Sequence, residues 1–591
     1  MNILKTLLAG TTAVLALTSV AVAQDNNTRI LQNGDFNEAL INQGVGSSNE
    51  ANLQQLGTNR ATITQSGNGN FTGRVTTNSQ RIIAQRGAQN ELTITQSGNA
   101  NLIGFGPTRV SQGATTFSGR GDNNRAEITQ STNNNEVGGI IQSSPGTAAV
   151  ETADQNYLRV RQQGGNGNYV SDLRQYNNVT GAARNFIDIF QSGTGNMLGA
   201  NVPNGTGVFQ SGSGNSVTYS VIGNLNGTNG SAGQPGVFTG TASSAVEIRQ
   251  GYIEQRGEGN AMSYRAIGGE NLLSVKQIGN NNSTGAIQSL GNRNELALAQ
   301  VGDANAASST TGGSDNDVGL RQLGSDNRLS ATIDGNGNEN LLAILQDGGR
   351  NSATARASRN DNLIEILQLG DDNSARSQNR GAGNSASRIS QNGGSNDADI
   401  AINLLSSFGS GNAAAVTQNG FDNEGDIVIN GSDNDLKIVS VGNDNTASMV
   451  ATGSDNILSI GQDGSSNSGF MTVAGSRNAA TVSQASPSNF ASLTITGNEN
   501  GVGLFSGAAL TVAGLGADAG SISQLGGAGN VANLTITGDN NLFNTVQDGA
   551  NNRYTGTVLG SSNQVALMQT GNGNTSNFTQ TGSGNIIGIS Q

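Results

Sequence analysis

Apolar and polar residues alternate in short runs along the chain, and a cluster of Gly, Asn and Ser follows each run. In ATITQSGNGN, residues 61–70, Ile63 and Gln65 belong to one face while Thr62 and Thr64 belong to the other. Alternation with a period of two is the pattern of a β-strand, whereas Gly and Asn recur here too often for the interior of an α-helix. The pattern therefore predicts a short strand followed by a tight turn.

This strand and its turn recur every 11 residues. When the Gln of the motif is taken as position zero, Gly stands at plus two and Asn at plus five. Four blocks between Ser289 and Gln591 contain 23 complete sites, and all 23 carry Asn at plus five while 21 carry Gly at plus two. Biased composition alone does not produce such a register, so the repeat is the organising feature of the chain.

A second period of 22 residues lies on top of the first. Gln recurs at every second position zero in the C-terminal half, while the sites between are apolar or small, such as Ile333, Ala357, Val473 and Val558. Two strands and two turns therefore form one coil. The predicted fold is all-β, a β-solenoid (β-helix) of coils of about 22 residues, stacked so that strands and buried amides repeat as in cross-β structures.

The residue types of the turns have physical reasons. Gly at plus two is expected to adopt a positive φ, which costs glycine nothing because it lacks a Cβ. Asn at plus five is expected to adopt the left-handed conformation and to hydrogen-bond nearby backbone. Gln at position zero is expected to face inward and to stack on the Gln of the next coil, so that buried amides satisfy one another.

The candidate functional residues are therefore structural, and no catalytic, cofactor-binding or metal-binding residues are predicted. They comprise the Gln of the ladder and the Gly and Asn of the turns. The positions are Gln65, Gly67, Asn70, Gln96, Gly98, Asn101, Gln300, Gly302, Asn305, Gln322, Gly324, Asn327, Gln346, Gly348, Asn351, Gln368, Gly370, Asn373, Gln462, Gly464, Asn467, Gln547, Gly549, Asn552, Gln569, Gly571, Asn574, Gln580, Gly582 and Asn585.

The regularity of the frame divides the chain into five segments. They are a secretory signal peptide at 1–23, a less regular repeat region with loop insertions at 24–288, regular repeats at 289–500, an insertion at 501–523 and regular C-terminal repeats at 524–591. Stretches rich in Gly, Ala, Ser and Thr break the frame and are expected to loop out of the stack as tolerated insertions. These stretches are residues 102–120, 143–160, 199–208, 224–245 and 501–520.

Composition narrows the possible functions. The 591 residues include no His, Cys or Trp, which excludes His-based acid–base catalysis, Cys nucleophiles, zinc sites of His and Cys, and disulfides. The net charge of −13 argues against binding to nucleic acid, for which a basic surface is expected. No enzymatic function is predicted, because the acidic residues are scattered through turns without forming a constellation.

The N-terminus has the pattern of a secretory signal. Lys5 precedes an apolar run, and Ala21-Val22-Ala23 offers small residues for cleavage before Gln24. The apolar run is shorter than the roughly 18 residues that a membrane span requires, and no later segment is long and apolar enough. The mature chain is therefore expected to be secreted, with no integral membrane segment after cleavage.

The motif Gln-x-Gly-x-x-Asn-x-Ala, between strands of alternating Ile or Val and Gln, resembles the curlin repeat of curli subunits. The resemblance covers most of the mature chain. Clear matches are Gln32, Gly34, Asn37 and Ala39; Gln300, Gly302, Asn305 and Ala307; Gln346, Gly348, Asn351 and Ala353; Gln368, Gly370, Asn373 and Ala375; and Gln391, Gly393, Asn396 and Ala398.

The resemblance implies an exported bacterial protein that polymerises into extracellular, cell-surface amyloid fibres for biofilm matrix, adhesion and surface colonisation. The implied partners are further copies of the chain, a related nucleator subunit and an outer-membrane secretion channel. The expected mechanism of assembly is end-to-end strand pairing, because open strand edges template further strands. The repeat frame continues to Gln591, which is consistent with such a docking edge.

Other functions remain open from the sequence. A monomeric secreted solenoid could act as an adhesin or as an ice- or glycan-binding surface, with the outward Thr62, Thr64, Thr93 and Thr95 forming its face. Calcium-stapled repeats are less favoured, because calcium β-rolls use a nine-residue Gly/Asp code. A carbohydrate-cleaving carboxylate pair on a β-helix and a fully disordered chain are less favoured still, the latter because of the strict Asn register.

Overall fold

The computed structural model describes most of the chain. The described residues are 25–73, 83–104, 110–112, 123–143, 156–177, 183–199, 206–228, 238–246, 251–335, 337–381, 385–403, 409–514 and 518–591, together with the backbone of 14–15, 75–76 and 79–80. The chain divides into two compact units, Met1–Ser325 and Asp326–Gln591. Nearly every described element is a β-strand, and most strands are six or seven residues long.

The elements of the first unit are 27 described strands and one short helix. They are β1 (Val14–Leu15), β2 (Asn27–Asn33), β3 (Glu38–Gln43), β4 (Glu50–Ser66), β5 (Phe71–Thr72), β6 (Val75–Thr76), β7 (Ser79–Gln80), β8 (Ile83–Ser97), β9 (Leu102–Ile103), β10 (Val110–Gln112), β11 (Arg125–Gln130), β12 (Glu136–Val137), β13 (Ile140–Ser143), β14 (Tyr157–Gln163), β15 (Tyr169–Val170), β16 (Asp172–Tyr176), β17 (Phe186–Ser192), β18 (Met197–Leu198), β19 (Thr206–Ser211), β20 (Ser216–Ile222), α1 (Thr241–Ala245), β21 (Ile253–Arg256), β22 (Ala261–Ile267), β23 (Leu272–Ile278), β24 (Ser283–Leu290), β25 (Glu295–Val301), β26 (Ala306–Gly312) and β27 (Asp317–Leu323).

The second unit contains 22 described strands and a second short helix. They are β28 (Arg328–Ile333), β29 (Leu341–Asp347), β30 (Ser352–Ala357), β31 (Leu363–Leu369), β32 (Ser374–Asn379), β33 (Ala386–Gly394), β34 (Asp397–Ile402), β35 (Ala413–Phe421), β36 (Glu424–Asn430), β37 (Asp435–Val441), β38 (Thr446–Thr452), β39 (Ile457–Asp463), β40 (Ser468–Ala474), β41 (Ala479–Gln484), β42 (Phe490–Thr496), α2 (Gly507–Ala513), β43 (Ser521–Leu525), β44 (Val531–Thr537), β45 (Leu542–Asp548), β46 (Arg553–Leu559), β47 (Gln564–Thr570), β48 (Thr575–Thr581) and β49 (Ile586–Ser590).

Within each unit the strands form two parallel stacks. In the second unit each strand pairs with the strand two further along the chain, so that Leu436 of β37 lies between Ala414 of β35 and Leu458 of β39. In each unit, we call the stack that ends in β27 or β49 the first stack and the stack that ends in β26 or β48 the second stack. The predicted all-β solenoid, with two strands and two turns in each regular coil, is confirmed.

Alternate residues of each strand form the core between the two stacks. In β36, Ile427 and Ile429 are fully buried, whereas Val428 between them is partly exposed on the outer surface. Ile63 and Gln65 are likewise buried, and Thr62 and Thr64 face outward as the alternation predicts. Since each strand buries only one face, a chain with modest hydrophobic content still forms a continuous core.

The coils of the first unit vary in length because insertions interrupt single strands. The residues of β5 and of the start of β8 both pair with the continuous strand β4, at Ala51↔Thr72 and Leu53↔Ile83. The chain therefore leaves the first stack after two strand residues and returns in register. Between Gln55 and Gln255 this lengthens the coils to between 27 and 45 residues, compared with 22 or 23 between Gln255 and Gln322.

The expectation that five stretches loop out in full is wrong in parts. Leu102–Ile103 and Val110–Gln112 lie in the stack, and so do Tyr157 of β14 and Thr206 of β19. They stay because their apolar residues and Gln112 fill positions in the core and the ladder. Stretches 224–245 and 501–520 contain the helices α1 and α2, and parts of all five stretches lie outside the described residues.

The predicted signal peptide lies outside the described residues except at Val14–Leu15. The backbone of this short strand pairs in parallel with β3, at Val14↔Glu38 and Leu15↔Ala39. Cleavage after Ala23 therefore remains a prediction. Among the described residues, the structure contains no helix that is long and apolar enough to span a membrane.

Candidate functional site

The most regular chemical feature of the structure is a set of stacked, buried Gln side chains, which we call the Gln ladders. In each rung, Nε2 of one Gln donates to Oε1 of the Gln in the following coil at 2.7–3.1 Å. The first stack of the first unit carries one ladder, and the second stack carries another. They consist of Gln32, Gln55, Gln85, Gln112, Gln142, Gln175, Gln210, Gln255, Gln277, Gln300 and Gln322, and of Gln43, Gln65, Gln96, Gln130, Gln162 and Gln191.

The second unit carries its ladder on the first stack. One segment runs through Gln346, Gln368, Gln391 and Gln418, and the other through Gln462, Gln484, Gln524, Gln547, Gln569 and Gln591. Ser440 stands between the segments and donates from Oγ to Gln462 Oε1 at 2.9 Å. The second stack has mostly apolar residues at the matching position, such as Ile402, Ile429 and Val473.

Each ladder amide also satisfies its remaining donor within the coil. Gln162 Nε2 donates to Gln191 Oε1 at 2.9 Å, and to the carbonyl oxygens of Asn168 at 3.0 Å and Glu136 at 3.2 Å. Its Oε1 accepts from Gln130 at 2.9 Å. The side chain is fully buried, and such burial is stable only because these polar groups are paired.

Buried Asn residues hold the corners. At a typical corner, Asn456 Nδ2 donates to Asn434 Oδ1 at 2.9 Å and to the carbonyl of Gly475 at 2.9 Å, while its backbone N–H donates to the same Asn434 Oδ1 at 3.1 Å. One Asn thus connects three successive coils. Because no other side chain of this length offers both an acceptor and two donors, the chemistry explains the strict Asn at plus five.

The expected left-handed conformation of this Asn is wrong. Positive φ values occur instead at plus four, in residues such as Ala100, Ala304, Asp372 and Asp433, with φ near 55–60°. The residue at plus four is exposed, so a short polar or small side chain suffices there. Asn at plus five is required for its buried hydrogen bonds and not for its backbone conformation.

The Gly at plus two is needed for two reasons. The ten predicted Gly residues all have positive φ, between 93° and 131°. At Gly302, a Cβ would also lie 2.1 Å from the carbonyl oxygen of Gly324 in the next coil. Successive glycines therefore form a column in which the backbones approach too closely for any side chain.

The predicted residues fall into these columns with one exception. Gln65 and Gln96 lie in the second ladder of the first unit, Gln300 and Gln322 in its first ladder, and the remaining Gln residues except Gln580 in the ladder of the second unit. Gln580 lies in the second stack beside Val558, and neither atom of its buried amide has a hydrogen bond within the described residues.

The predicted Gly and Asn residues belong to the corner columns. The Gly residues are Gly67, Gly98, Gly302, Gly324, Gly348, Gly370, Gly464, Gly549, Gly571 and Gly582. The Asn residues are Asn70, Asn101, Asn305, Asn327, Asn351, Asn373, Asn467, Asn552, Asn574 and Asn585.

Several ladder residues were not predicted. Gln112, Gln142, Gln175, Gln210 and Gln255 lie among the irregular coils and continue the first ladder without a gap. The 11-residue count misses them because the insertions shift the frame. Each of them does follow an apolar residue by two positions, as in the sequences VSQ and IIQ, and this is the local signal that could have identified them.

Replacing Gln162 with Leu tests the worth of one rung. We expect local destabilisation of about 2–3 kcal/mol, because the amides of Gln130 and Gln191 each lose a buried partner. Gln163→Leu is the matched control, since this neighbour is exposed at the end of the same strand. Hydrogen exchange of β11, β14 and β17 measures the effect, and equal exchange in the two variants would contradict the ladder's role.

An acidic group on the outer face of the second stack gives a pH dependence. Asp399 of β34 lies beside Asp426 of β36, and Asp397 lies beside Glu424. Partial burial, together with Glu424, Asp399 and Asp397, raises the pKa of Asp426 to about 6. Arg376 is 3.7 Å from Asp399 on the preceding strand, while Ser448 faces Asp426 from the following strand.

Acidification is therefore expected to stabilise these strands. Because the pKa of Asp426 is higher in the folded chain than its ordinary value of 3.8, the folded state binds the proton more tightly. The free energy of unfolding should rise as the pH falls through 6 towards 4. The change should be about 1 kcal/mol, since a half-exposed carboxylate is partly screened.

Asp426→Asn provides the control for this prediction. The variant should exceed the natural chain in local stability at pH 7.5, and the difference should shrink at pH 5. Hydrogen exchange of β34, β36 and β38, corrected for intrinsic rates at each pH, measures both. A difference that is the same at the two pH values would show that Asp426 does not titrate there.

Among the described residues, no group of three or more acidic, His or Cys side chains is placed to hold a metal ion. A family model described as the curlin associated repeat matches the chain three times, at residues 23–57, 291–324 and 453–485. Comparison with curated proteins finds no significant match. Each matched segment contains at least one ladder Gln with its following Gly and Asn, for example Gln300, Gly302 and Asn305.

Proposed function

Since this chain is a repeat protein of the curlin family, we propose that it is a secreted structural protein that self-assembles into extracellular, curli-like amyloid fibres. The fibres would serve as biofilm matrix and in adhesion and surface colonisation. The repeat family and the solenoid fold are structural rather than catalytic in character. The observation that carries the proposal is the Gln ladder between parallel, in-register strands.

The ladder makes the solenoid equivalent to a stack of separate strands. Successive coils repeat side chain on side chain, as in Gln547 on Gln524 and Gln569 on Gln547, with one backbone hydrogen-bond ladder on each stack. Cross-β fibrils join separate chains by this same arrangement. A second copy can therefore continue the pattern by strand pairing alone, without new kinds of contact.

The direction of the rungs favours an open-ended polymer. Every printed Gln–Gln rung donates from the earlier coil to the later coil, so one edge of a stack presents amide donors and the opposite edge presents amide acceptors. Copies that join in the same direction present complementary edges to each other. Such head-to-tail contacts generate fibres and not closed dimers. A related nucleator subunit and an outer-membrane secretion channel are the further partners proposed.

Seeded assembly tests this function. The full mature chain is kept unfolded in denaturant, diluted, and followed with a dye that reports cross-β structure, with and without sonicated fibres of the same chain. We expect a lag that seeds remove. Gln163→Leu should assemble like the natural chain and Gln162→Leu should assemble more slowly, whereas a folded monomer that ignores seeds would overturn the proposal.

A second candidate function has its own structural observation. On the outer face of the second stack, Thr472, Thr494, Thr535, Thr557 and Thr579 form one straight column across five neighbouring strands. Thr62 and Thr64 align with Thr93 and Thr95 in the same way in the first unit. A flat, regular array of hydroxyl and methyl groups would suit a repeating ligand such as a crystalline glycan.

Binding to insoluble cellulose separates this candidate from fibre formation. A monomeric chain that sediments with cellulose, and that loses this binding in Thr535→Glu, would favour a ligand-binding surface. The same substitution lies outside the Gln ladder and the corner columns, so it should leave seeded assembly intact if the chain functions as a fibre.

A further inference from the structure

The two helices occupy equivalent places in their units. α1 belongs to the segment between β20 and β21, and it packs on β25 and β27 of the first stack. α2 belongs to the segment between β42 and β43, and it packs on β47 and β49 of the first stack. Each helix thus leaves its stack at one level and contacts strands two and three steps further on.

The residues that receive the helices correspond one to one. Phe238 and Phe505 precede the helices and are 6% exposed, and each packs in a cluster with a leucine, Leu272 or Leu542, of the first stack. An alanine of the strand beneath, Ala297 in the first unit and Ala566 in the second, completes each cluster. The members of each pair are separated by about 270 residues, so the arrangement is one unit repeated over a long interval.

The backbone at the start of each helix is held by the same strand position. Leu272 pairs with Glu295 and Leu542 pairs with Gln564 in the register of the first stack. The N–H of Thr239 donates to Glu295 Oε2 at 2.9 Å, and the N–H of Ser506 donates to Gln564 Oε1 at 2.7 Å. In the first unit, Asp317 also accepts from the N–H groups of Ala242 and Ser243, at 2.6 and 2.8 Å.

A glycine lies beneath each helix. A Cβ on Gly319 would be 1.9 Å from the carbonyl oxygen of Ala242, and a Cβ on Gly588 would be 2.4 Å from that of Ala508. Neither glycine has a positive φ, so the strand backbone would accept another residue at both positions. The glycines are therefore explained by the close approach of the helices.

We propose that α1 and α2 are two copies of one strap, a conformational device that closes over strands formed later in the chain and locks them. The strap precedes these strands in sequence and contacts them only when the intervening strands of the first stack have been laid down in register. Closure therefore reports that this stretch of the stack is complete. It also adds apolar cover to strands that would otherwise be held by their neighbours alone, and this role is independent of fibre assembly.

Gly588→Val tests the second strap in the full chain. The new side chain cannot coexist with α2, whereas a β-branched residue is otherwise favourable on the outer face of a strand. Hydrogen exchange of residues 505–513 and of β49 should increase by about tenfold or more, with α1 and β25–β27 unchanged. Gly461→Val is the matched control, because Gly461 faces outward on the same stack with nothing within 4 Å of its Cβ.

Gln564→Leu provides a second variant that leaves Gly588 in place. It removes the acceptor for the N–H of Ser506 and should also increase the exchange of residues 505–513 while β49 stays paired with β47. Unchanged exchange of residues 505–513 in both variants would overturn the proposal. So would an equal loss of protection throughout the second unit in Gly588→Val and Gly461→Val, because the effect would then not depend on the strap.

Discussion

Gly453→Val is expected to destabilise the surrounding coils by about 4 kcal/mol, the sum of an unfavourable φ and of overpacking. Gly453 has φ 120°, and a Cβ there would lie 2.0 Å from the carbonyl oxygen of Gly475 in the next coil. The backbones cannot separate without breaking the hydrogen bonds of the corner. Hydrogen exchange of β38 and β39 measures the loss, which should spread to the neighbouring coils of both stacks.

Gly573→Asn is the control for this variant. Gly573 also has a positive φ, but it stands at plus four, where nothing lies within 4 Å of a Cβ and where Asp and Asn are tolerated in other coils. We expect a change of less than about 1 kcal/mol there. A similar loss of protection in both variants would show that the close approach of successive glycines does not limit the sequence.

Asn456→Asp is expected to destabilise its corner by about 3 kcal/mol at neutral pH. A carboxylate oxygen would replace Nδ2 and face Asn434 Oδ1 and the carbonyl of Gly475, so two attractive contacts become repulsive and a buried charge is left without a donor. Because protonation restores one donor, the loss should diminish at acidic pH. Hydrogen exchange of β37, β39 and β41 at pH 7 and pH 4.5 measures it.

The adjacent residue offers a matched control. Asp455 stands at plus four with φ 58°, and Asp455→Asn exchanges the same two side chains in the opposite sense. This substitution should be close to neutral, since both residue types tolerate the left-handed conformation. If Asn456→Asp were equally neutral, the hydrogen bonds of the buried Asn column would not stabilise the corner.

The local repeat was predictable because each coil uses the same residues for the same contacts. The alternation of Ile63 and Gln65 with Thr62 and Thr64 states which face is buried. Steric and hydrogen-bonding demands recur identically at each corner, and so Gly at plus two and Asn at plus five recur too. The alternative of a disordered chain fails for the same reason.

The exact corner residue was less predictable where a turn changes length. Counting in steps of 11 from Ile333 selects Asn338, but the structure places Asn340 in the buried column, where its Oδ1 accepts from the N–H of Asn362 at 3.0 Å. Two extra residues lengthen this turn. Since several Asn residues stand close together, the sequence does not distinguish the one that reaches the preceding and following coils.

Contacts between distant segments were beyond the reach of periodicity. The five stretches that break the frame look alike in composition, yet one contains Gln112 of the ladder and two contain the helices α1 and α2. The position of each helix depends on strands that come later in the chain. Only the fold brings Gly319 beneath Ala242 and Gly588 beneath Ala508, and so reveals that the two insertions are equivalent.

The left-handed residue at plus four illustrates a different limit. Asn is common in both the left-handed conformation and in buried side-chain hydrogen bonds, so its presence alone does not show which role applies. Burial decides between them. Asn434 is 1% exposed and has ordinary φ, whereas Asp433 beside it is exposed and has φ 55°.

X-ray diffraction from aligned assemblies of the full mature chain tests the central claim most directly. If copies continue the strand and amide ladders of the solenoid, a strong reflection near 4.8 Å should lie along the fibre axis, with the spacing between the two stacks near 10 Å perpendicular to it. A chain that remains a monomer at high concentration in the presence of seeds, or fibres without the axial reflection, would contradict the claim.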